Sequence, residues 1–324
     1  MILVTGGAGY IGSHYAQYAK ERGEELIVLD NLVFGHKRAV PEGVSLVQGD
    51  MGDRNLLDSL FKNNPIDSVV HFAAYAYVGE SVNDPAKYYR NNTVSTLNLL
   101  DAMRAHEVRN LVFSSTCATY GNPQYVPMDE QHPQAPINPY GESKFFVEHF
   151  LRAYSHAYGL KYVALRYFNA CGADPEGRIG ESHDPETHLI PLILQTAQGK
   201  RDSINIFGTD YDTPDGTCIR DYIHILDLAH AHALALKRLQ DGGESAIYNL
   251  GTEQGRSVRE VIATCERVSG KPVNVIECPR REGDPARLVA SAAKAKRELG
   301  WKPAYESLEE IIATAWRWET NRLY

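Results

Sequence analysis

Short runs of apolar residues alternate with amphipathic stretches along the first half of the chain. The runs are nearly continuous in Val, Ile, Leu and Phe, which is typical of strands buried on both faces of a sheet. They predict strands at 2–5, 26–30, 44–48, 68–74, 110–115 and 160–166, with helices at about 12–22, 54–63, 87–106 and 140–158 between them. Repeated strand–helix–strand units predict an α/β fold with a doubly wound parallel sheet of the Rossmann type.

The pattern changes after residue 166. Gly, Pro, Asp and Glu dominate residues 172–186, and residues 205–221 also have the composition of a loop. Helical patterns return at about 225–239, 257–269, 292–299 and 307–321, and the apolar run 246–250 predicts a late strand in the main sheet. We therefore expect a first domain over residues 1–170, to which about 225–250 return, and a smaller interleaved domain over 171–324.

The composition of the chain excludes some classes of function. The 324 residues are 43% hydrophobic and 23% charged, with a net charge of −8. An acidic chain lacks the basic footprint that binding nucleic acid requires, so we expect no nucleic-acid partner. No charged leader precedes the first strand, and no apolar stretch reaches the roughly 18 residues that span a bilayer, which predicts a cytoplasmic protein without a membrane segment.

The cysteines are odd in number and widely spaced, and none form a CxxC motif. This predicts reduced thiols rather than a disulfide framework or a zinc site. They are Cys117, Cys171, Cys218, Cys265 and Cys278. We also expect no metal site among the histidines: His230 and His232 lie two apart in a predicted helix and point different ways, and His71 fits a buried strand.

A glycine-rich segment follows the first predicted strand directly. Gly7, Gly9 and Gly12 satisfy G-x-G-x-x-G, and Gly6 precedes them. Glycines allow a tight turn and close approach of the backbone to a diphosphate, and the following helix N-terminus supplies N–H donors. Because the motif lies between a strand and a helix, it predicts a dinucleotide site; the alternative is an ordinary glycine turn.

Acidic residues end the next two strands. Asp30 closes the second strand 18 residues after Gly12, where a carboxylate can accept hydrogen bonds from the adenosine ribose and would repel a 2′-phosphate. This favours NAD over NADP, although a turn or helix-capping role for Asp30 is the alternative. Asn31 follows it, and Asp50 after the third strand is placed to meet the adenine.

A tyrosine and a lysine four residues apart are the candidate catalytic pair. Tyr140 and Lys144 share one face of a predicted helix, and Thr116 follows the strand that ends in Ser-Ser. A neighbouring ammonium should lower the pKa of Tyr140, so that the tyrosine can take a proton from a sugar hydroxyl while hydride leaves the same carbon. Thr116 can position the substrate oxygen. A chance surface pair is the alternative.

Motifs spread from end to end of the chain carry a family resemblance. They are GGAGYIGSH, FAAYAYVGES, SSTCATYG, NPYGESK, RYFNACGADPEGRIGE, IFGTDYDTPDGTCIRDYIH, YNLGT and PRREGD. The chain resembles the UDP-glucose 4-epimerases of the extended short-chain dehydrogenase/reductase family. The resemblance implies that the tyrosine removes the C4 hydroxyl proton, that hydride passes to bound NAD and returns to the opposite face of the 4-ketosugar, and that two copies form a homodimer through the helices at 87–106 and 140–158.

The resemblance also assigns site residues. The catalytic residues are Tyr140, Lys144 and Thr116. The NAD-binding residues are Gly6, Gly7, Gly9, Tyr10, Ile11, Gly12, Asp30, Asn31, Asp50, Met51, Phe72, Ala73, Ala74, Asn92, Tyr140, Lys144 and Phe168. The UDP-sugar-binding residues are Thr116, Tyr140, Asn169, Leu189, Asn205, Ile206, Phe207, Arg220, Tyr222, Arg281 and Asp284.

Three positions depart from the commonest family pattern. Ala76 stands where many relatives carry a lysine that contacts the cofactor, and the surrounding run is similar to epimerases that act on UDP-pentoses. His188 replaces an asparagine. Leu288 occupies the position beside the sugar C2 substituent, where its intermediate size neither admits nor excludes N-acetyl sugars. A UDP-arabinose/UDP-xylose 4-epimerase and a UDP-N-acetylhexosamine 4-epimerase are therefore the alternatives to the glucose/galactose pair.

Two other functions use the same fold. Nucleotide-sugar 4,6-dehydratases place an acid pair directly after the threonine, whereas this chain has Cys117 and Ala118, and UDP-glucuronate decarboxylases share the tyrosine and lysine. A non-catalytic dinucleotide sensor often loses the tyrosine or lysine, whereas Tyr140 and Lys144 are both present. The dehydratase or decarboxylase function and the sensor function are both disfavoured.

Overall fold

The computed structural model describes residues 1–281 and 283–324. Within them the strands are β1 (Ile2–Thr5), β2 (Leu26–Asp30), β3 (Ser45–Gln48), β4 (Ser68–His71), β5 (Asn110–Ser114), β6 (Lys161–Tyr167), β7 (Asn169–Cys171), β8 (Ile204–Phe207), β9 (Ile219–His224), β10 (Ala246–Leu250), β11 (Gly255–Ser257), β12 (Val275–Cys278) and β13 (Arg287–Leu288). The α-helices are α1 (Tyr10–Lys20), α2 (Arg54–Asn63), α3 (Val78–Asn83), α4 (Pro85–Tyr88), α5 (Ser95–Ala105), α6 (Pro139–Tyr158), α7 (Leu189–Ala197), α8 (Ile225–Gln240), α9 (Val258–Ser269), α10 (Ala293–Leu299) and α11 (Leu308–Thr320).

Seven parallel strands form the main sheet in the order β3-β2-β1-β4-β5-β6-β10. This confirms the predicted doubly wound fold and the predicted return of 246–250 to the sheet. The strand order reverses between β1 and β4, and in such folds ligands bind in the crevice at the carboxyl ends of the strands beside that point. The glycine loop after β1 therefore lies where a dinucleotide is expected.

Both faces of the main sheet are covered by helices. Ile2 and Val4 point to the side packed by α1 and α8, and Leu3 points to the side packed by α2, α5 and α6. This alternation explains why the strand sequences are apolar throughout. β3 is the exception: it is an edge strand whose Ser45 and Gln48 are exposed, so the prediction that it is buried on both faces is wrong.

A second set of short strands has its own core. β9 pairs with β7, β11 and β13, β8 pairs with β12, and α7, α9 and α11 pack around Ile206, Tyr222 and Ile311. The prediction of a loop over 205–221 is wrong at both ends, where β8 and β9 lie. These strands are short and their partners are distant in sequence, so local patterns do not reveal them.

The predicted helix at 87–106 is divided into three parts. α4 ends at Tyr88, a π-helical segment spans Tyr89–Val94, and α5 begins at Ser95. π-helical segments are rare and often occur at functional sites. Here the segment includes Asn92, one of the predicted NAD-binding residues.

A buried ion pair joins β6 to α6. The Arg166 side chain is 2% exposed and that of Glu148 is 0% exposed, and Nε of Arg166 donates to Oε1 of Glu148 at 2.9 Å. The Ser115 hydroxyl, just after β5, donates to the same oxygen at 2.6 Å, and Nη1 of Arg166 donates to the Tyr120 hydroxyl at 2.9 Å. Burial alone would raise the pKa of Glu148, but Arg166 and Ser115 hold it below its usual value, so the carboxyl stays ionised.

We predict that Glu148→Gln destabilises the protein strongly. The substitution keeps the shape of the side chain but leaves the Arg166 charge buried without its counterion, which typically costs about 3–5 kcal/mol of the free energy of unfolding. Urea unfolding followed by circular dichroism measures the loss. Glu244→Gln, which breaks an exposed pair with Lys161, is the control and should leave the transition unchanged. Equal midpoints for the two variants would contradict the prediction.

Candidate active site

The loop between β1 and α1 requires its glycines. Gly6 has φ +71°, and a Cβ there would lie 2.5 Å from the Ala73 nitrogen; a Cβ on Gly12 would lie 2.1 Å from the Gly6 oxygen. Gly9, the N-cap of α1, has no side chain to cap the helix. The first N–H groups of α1 are therefore available to an anion, which fits a diphosphate at this helix end.

The predicted adenosine-binding residues lie at the carboxyl ends of β2 and β3. The Asp30 carboxylate is mostly buried and accepts from the main-chain nitrogens of Ala8, at 2.9 Å, and Leu32, at 2.8 Å. Burial raises its pKa. Asn31 Nδ2 donates to Asp50 Oδ2 at 3.4 Å, so the ends of the two strands are in contact. The Met51 side chain is buried in the core below them.

The chain after β4 runs against the glycine loop. The nitrogens of Phe72 and Ala73 both donate to the Thr5 oxygen, at 2.9 and 3.1 Å. The Phe72 ring packs on His232, with 4.7 Å between ring centroids, so Phe72 offers its main chain rather than its side chain to a ligand. Ala74, next along this segment, is half-buried.

Asn92 positions the loop that follows. Its Oδ1 accepts from the Tyr75 nitrogen at 2.8 Å, and its Nδ2 donates to the Tyr75 oxygen at 3.0 Å and to the Ser143 hydroxyl at 3.0 Å. The loop after β4 is thereby fixed to the helix that carries Tyr140. Ala76, where many relatives have lysine, is exposed on this loop.

The three predicted catalytic residues come together where β5 ends and α6 begins. Thr116 lies close enough to the Tyr140 hydroxyl to act on its pKa. One helical turn further, Lys144 Nζ donates to the Ser114 oxygen at 2.8 Å. Asn138 fixes the start of the helix, because its Oδ1 accepts from the Gly141 nitrogen at 2.8 Å. The order of these residues along β5 and α6 thus brings a phenol, an amine and a hydroxyl to one site.

Burial determines the protonation of this site. It raises the pKa of Tyr140 well above its usual value, the Tyr167 hydroxyl adds to the effect, and Thr116 only partly offsets it. It also lowers the pKa of Lys144 to about 7. An apolar surrounding disfavours the charged form of both side chains. That Lys144 favours the phenolate of Tyr140 stays a prediction.

A second group of predicted residues meets at the edge of the small sheet. Arg220 on β9 forms an ion pair with Asp284, and the guanidinium of Arg281 lies 3.8 Å from the ring centroid of Phe207. The Arg220 charge also acts on the pKa of Cys117, the neighbour of Thr116, so the two groups of residues are close to one another. Two cations and an aromatic ring can hold the diphosphate and base of a nucleotide.

The other residues predicted to bind the UDP-sugar or NAD differ in how buried their side chains are. Ile206 and Tyr222 are buried in the core of the small sheet. Asn205 is exposed on β8, and Asn169 Nδ2 donates to the Asp221 oxygen at 2.9 Å. Leu189 is the first residue of α7. Phe168 is buried with Tyr120, Met128 and Ala290, against which Cys117 and Leu288 pack.

Sequence analysis missed two features near the site. The Ser115–Glu148–Arg166 network supports the elements that carry the catalytic residues, and no motif indicated it. Glu181, His183, Glu186 and His188 form a compact cluster whose ligand atoms lie within 4.8 Å of one another. Their E-x-H-x-x-E-x-H spacing was a usable signal, which the expectation of no metal site did not consider.

The model of the family described as "NAD dependent epimerase/dehydratase family" matches residues 2–251. A UDP-glucose 4-epimerase from Halalkalibacterium halodurans is 54% identical over 317 residues, which are 98% of this chain and 95% of that protein. No helix in the described parts of the chain is long and apolar enough to cross a membrane.

Solved structures show the same similarity. The structure of UDP-glucose 4-epimerase from Brucella ovis in complex with NAD is 51% identical, with a TM-score of 0.94 over 97% of this chain and 96% of that one. The structure of UDP-glucose 4-epimerase from Bifidobacterium longum in complex with NAD+ and UDP is 39% identical, with a TM-score of 0.94 over 99% of this chain and 98% of that one.

We predict that Lys144→Met stabilises the NAD-free protein and that the gain falls as pH rises. The pKa of Lys144 is lowered to about 7 in the folded state, whereas an unfolded lysine has a pKa of about 10.4. Between these values the unfolded state binds the additional proton, so the cost of burying Lys144 is full below about pH 7 and fades toward pH 10.

Urea unfolding of NAD-stripped wild type and variant at pH 6, 8 and 9.5 measures this dependence. The expected gain is on the order of a few kcal/mol at the lowest pH. Lys62→Met, on an exposed face of α2, is the matched control and should give a difference that does not change with pH. A gain from Lys144→Met that stays constant with pH would contradict the assignment.

Proposed function

The chain belongs to the NAD dependent epimerase/dehydratase family, and from this premise we propose that it is a UDP-sugar 4-epimerase that interconverts UDP-galactose and UDP-glucose. The observation that carries the proposal is the position of Tyr140, Thr116 and Lys144 between a dinucleotide loop and a separate nucleotide-binding edge. The curated relatives with the same activity in their names match over nearly the whole chain.

NAD fits the residues at the carboxyl edge of the main sheet. A Cβ at Gly6 or Gly12 would clash with the main chain, so this loop has no room for side chains at those two positions. The start of α1 has no side-chain cap, which suits the binding of a diphosphate. Asp30 disfavours a 2′-phosphate and so selects NAD. When bound, NAD supplies a reversible hydride acceptor for the sugar C4 carbon.

Tyr140 acts as the acid and base. In its phenolate form it accepts the proton of the sugar C4 hydroxyl as that carbon is oxidised, and the resulting phenol returns the proton when the carbon is reduced. Thr116, which lies beside Tyr140, orients the sugar oxygen. Because burial keeps Tyr140 protonated in the protein alone, positive charge near it, including that of a protonated Lys144, is needed to favour the phenolate.

The UDP part is held away from the reacting carbon. Arg220 and Arg281 bind the diphosphate, Phe207 packs on the uracil, and Asp284 accepts from the uridine ribose. Asn205, the main chain of Ile206, Asn169 and Leu189 complete this subsite. Contacts concentrated on the nucleotide leave the sugar free to turn, so the 4-ketosugar can present either face to the cofactor.

Different parts of the chain bind the cofactor and the substrate. Residues 1–170 with 225–250 bind NAD, and residues 171–324 bind the UDP-sugar. We further infer a cytoplasmic location, which is supported by the five cysteines, all of them free thiols. Burial raises the pKa of Cys117 to about 12, so this thiol cannot serve as the acid that a dehydratase uses beside its threonine.

We predict that the purified protein converts UDP-galactose to UDP-glucose without added cofactor and with no net absorbance from NADH. Chromatography of the nucleotide sugars measures the conversion. Tyr140→Phe should lower turnover by about 10²- to 10⁴-fold, because the proton acceptor is lost while NAD binding is not. Tyr158→Phe, an exposed tyrosine on the same helix, is the control and should retain full activity.

Assays with other UDP-sugars test the substrate preference. UDP-arabinopyranose and UDP-N-acetylgalactosamine, assayed in parallel, should react more slowly than UDP-galactose. If the pentose reacts faster, the preferred substrate is wrong but the 4-epimerase chemistry stands. If no UDP-sugar reacts even with added NAD, the enzyme assignment is wrong and a dinucleotide sensor is favoured.

We also propose a homodimer through α5, α6 and the π-helical segment between α4 and α5. Val94 and Phe146 lie on these elements and are 52% and 44% exposed, which is unusual for large apolar side chains on one surface. We predict that light scattering gives twice the 36.1 kDa of the chain. Phe146→Arg should shift it toward the monomer, whereas Ile276→Arg, on β12, should not. A wild-type monomer would contradict the proposal.

A further inference from the structure

Four side chains converge in the segment that leads into α7. Nδ1 of His188 lies 2.8 Å from Oε1 of Glu181 and 2.9 Å from Oε1 of Glu186. Nδ1 of His183 lies 3.2 Å from Oε1 of Glu181 and 3.7 Å from Oε2 of Glu186. Two imidazoles and two carboxylates thus direct one ligand atom each toward a common point.

These separations match those of metal ligands. Four ligands at the zinc–nitrogen and zinc–oxygen distance of about 2.0–2.1 Å lie about 3.3–3.4 Å apart at the corners of a tetrahedron. The nitrogen–oxygen separations in the cluster range from 2.8 to 3.7 Å, and the four ligand atoms all lie within 4.8 Å of one another. Small side-chain movements would bring all four atoms to coordination distance.

Hydrogen bonding leaves part of the cluster unexplained. Nδ1 of His183 and Oε2 of Glu186 are buried, and apart from their ionic contacts within the cluster neither has a hydrogen-bond partner among the described residues. The Glu186 side chain is only 4% exposed and is directed into the cluster. The Tyr77 ring packs edge-on against His183, and its hydroxyl is also buried without a hydrogen-bond partner among the described residues. Buried polar atoms are normally paired, so these atoms indicate an additional ligand.

We propose that Glu181, His183, Glu186 and His188 bind one divalent first-row transition-metal ion, and that zinc fills the site. Two carboxylates neutralise the charge of such an ion, and neutral imidazoles complete a nitrogen and oxygen ligand set suited to zinc. His188 is 43% exposed, which gives the ion access from solvent.

Zinc binding is coupled to protonation. Because a metal ligand must be deprotonated, the ion competes with protons for the imidazoles of His183 and His188.

The bound ion would stabilise the loop that leads into α7, which lies between the main sheet and the smaller sheets. Nε2 of His36, from the segment after β2, lies 2.8 Å from the Ser182 oxygen within the cluster loop. The ring of Tyr10, at the start of α1, packs edge-on against His183. Leu189 follows His188 directly and begins α7. The ion would thus fix the loop beside both the dinucleotide loop and the predicted UDP subsite.

The test uses the full chain, stripped with chelator and titrated with ZnCl₂ by calorimetry. We expect one zinc ion per chain and a raised melting temperature. Glu186→Gln and His183→Asn should weaken zinc binding by at least about a hundredfold. His230→Gln, a half-buried histidine that packs on Tyr18, is the matched control and should bind as wild type does.

Cobalt(II) identifies the ligands. We expect the visible absorption of tetrahedral cobalt without the sulfur-to-cobalt charge transfer that binding to a cysteine would give. The proposal is overturned if wild type binds zinc no more tightly than Glu186→Gln or if the spectrum shows a thiolate ligand. The wild-type titration alone decides the matter if a variant fails to fold, and it does not depend on epimerase activity.

Discussion

The buried ion pair between Arg166 and Glu148 is the interaction on which the catalytic end of the molecule depends. It joins β6 to α6, and Glu148 lies one helical turn beyond Lys144 on the same helix. Ser115 binds the same carboxylate from the segment that continues into Thr116. The spacing of Tyr140, Lys144 and Thr116 is therefore set by contacts below them in the core. Tyr120 extends the network to Asn249 on β10, with 2.6 Å between its hydroxyl and Oδ1, so that the return strand is fixed to the same centre.

Burial gives this site its chemistry as well as its shape. In a solvent-exposed helix Tyr140 and Lys144 would keep ordinary pKa values. In the protein both are drawn toward their neutral forms, and a small change in nearby charge can move protons between them and the substrate. In the proposed reaction the proton leaves the sugar hydroxyl oxygen while the hydride leaves its carbon, so positive charge near Tyr140 is needed to favour the phenolate that accepts the proton.

The main sheet and the two smaller sheets contribute different kinds of structure. The main sheet is regular, with parallel strands and helices on both faces, and it places the glycine loop and Asp30 at its carboxyl edge. The second set of strands is short and is assembled from segments far apart in sequence, around the core of Ile206 and Tyr222. Arg220 lies on β9, the strand with the most partners there, and its charge acts on Cys117, the neighbour of Thr116. The loop at 172–188, which carries the Glu181–His188 cluster, connects the two parts.

The sequence by itself determined the main sheet, the dinucleotide loop, the choice of NAD through Asp30, and the residue types of the Tyr140–Lys144 pair. These features are local: a buried strand, a glycine turn and an i,i+4 pair each leave a signature within a few residues. Tertiary structure alone decided the strands β8 and β9, the π-helical segment around Asn92, the exposed edge at β3, and the convergence of Glu181, His183, Glu186 and His188. It also decided how deeply Tyr140 and Lys144 are buried, which the Tyr–Lys spacing did not indicate. The physical reason is that pairing between distant strands and desolvation by surrounding atoms depend on neighbours in space, which sequence spacing does not specify.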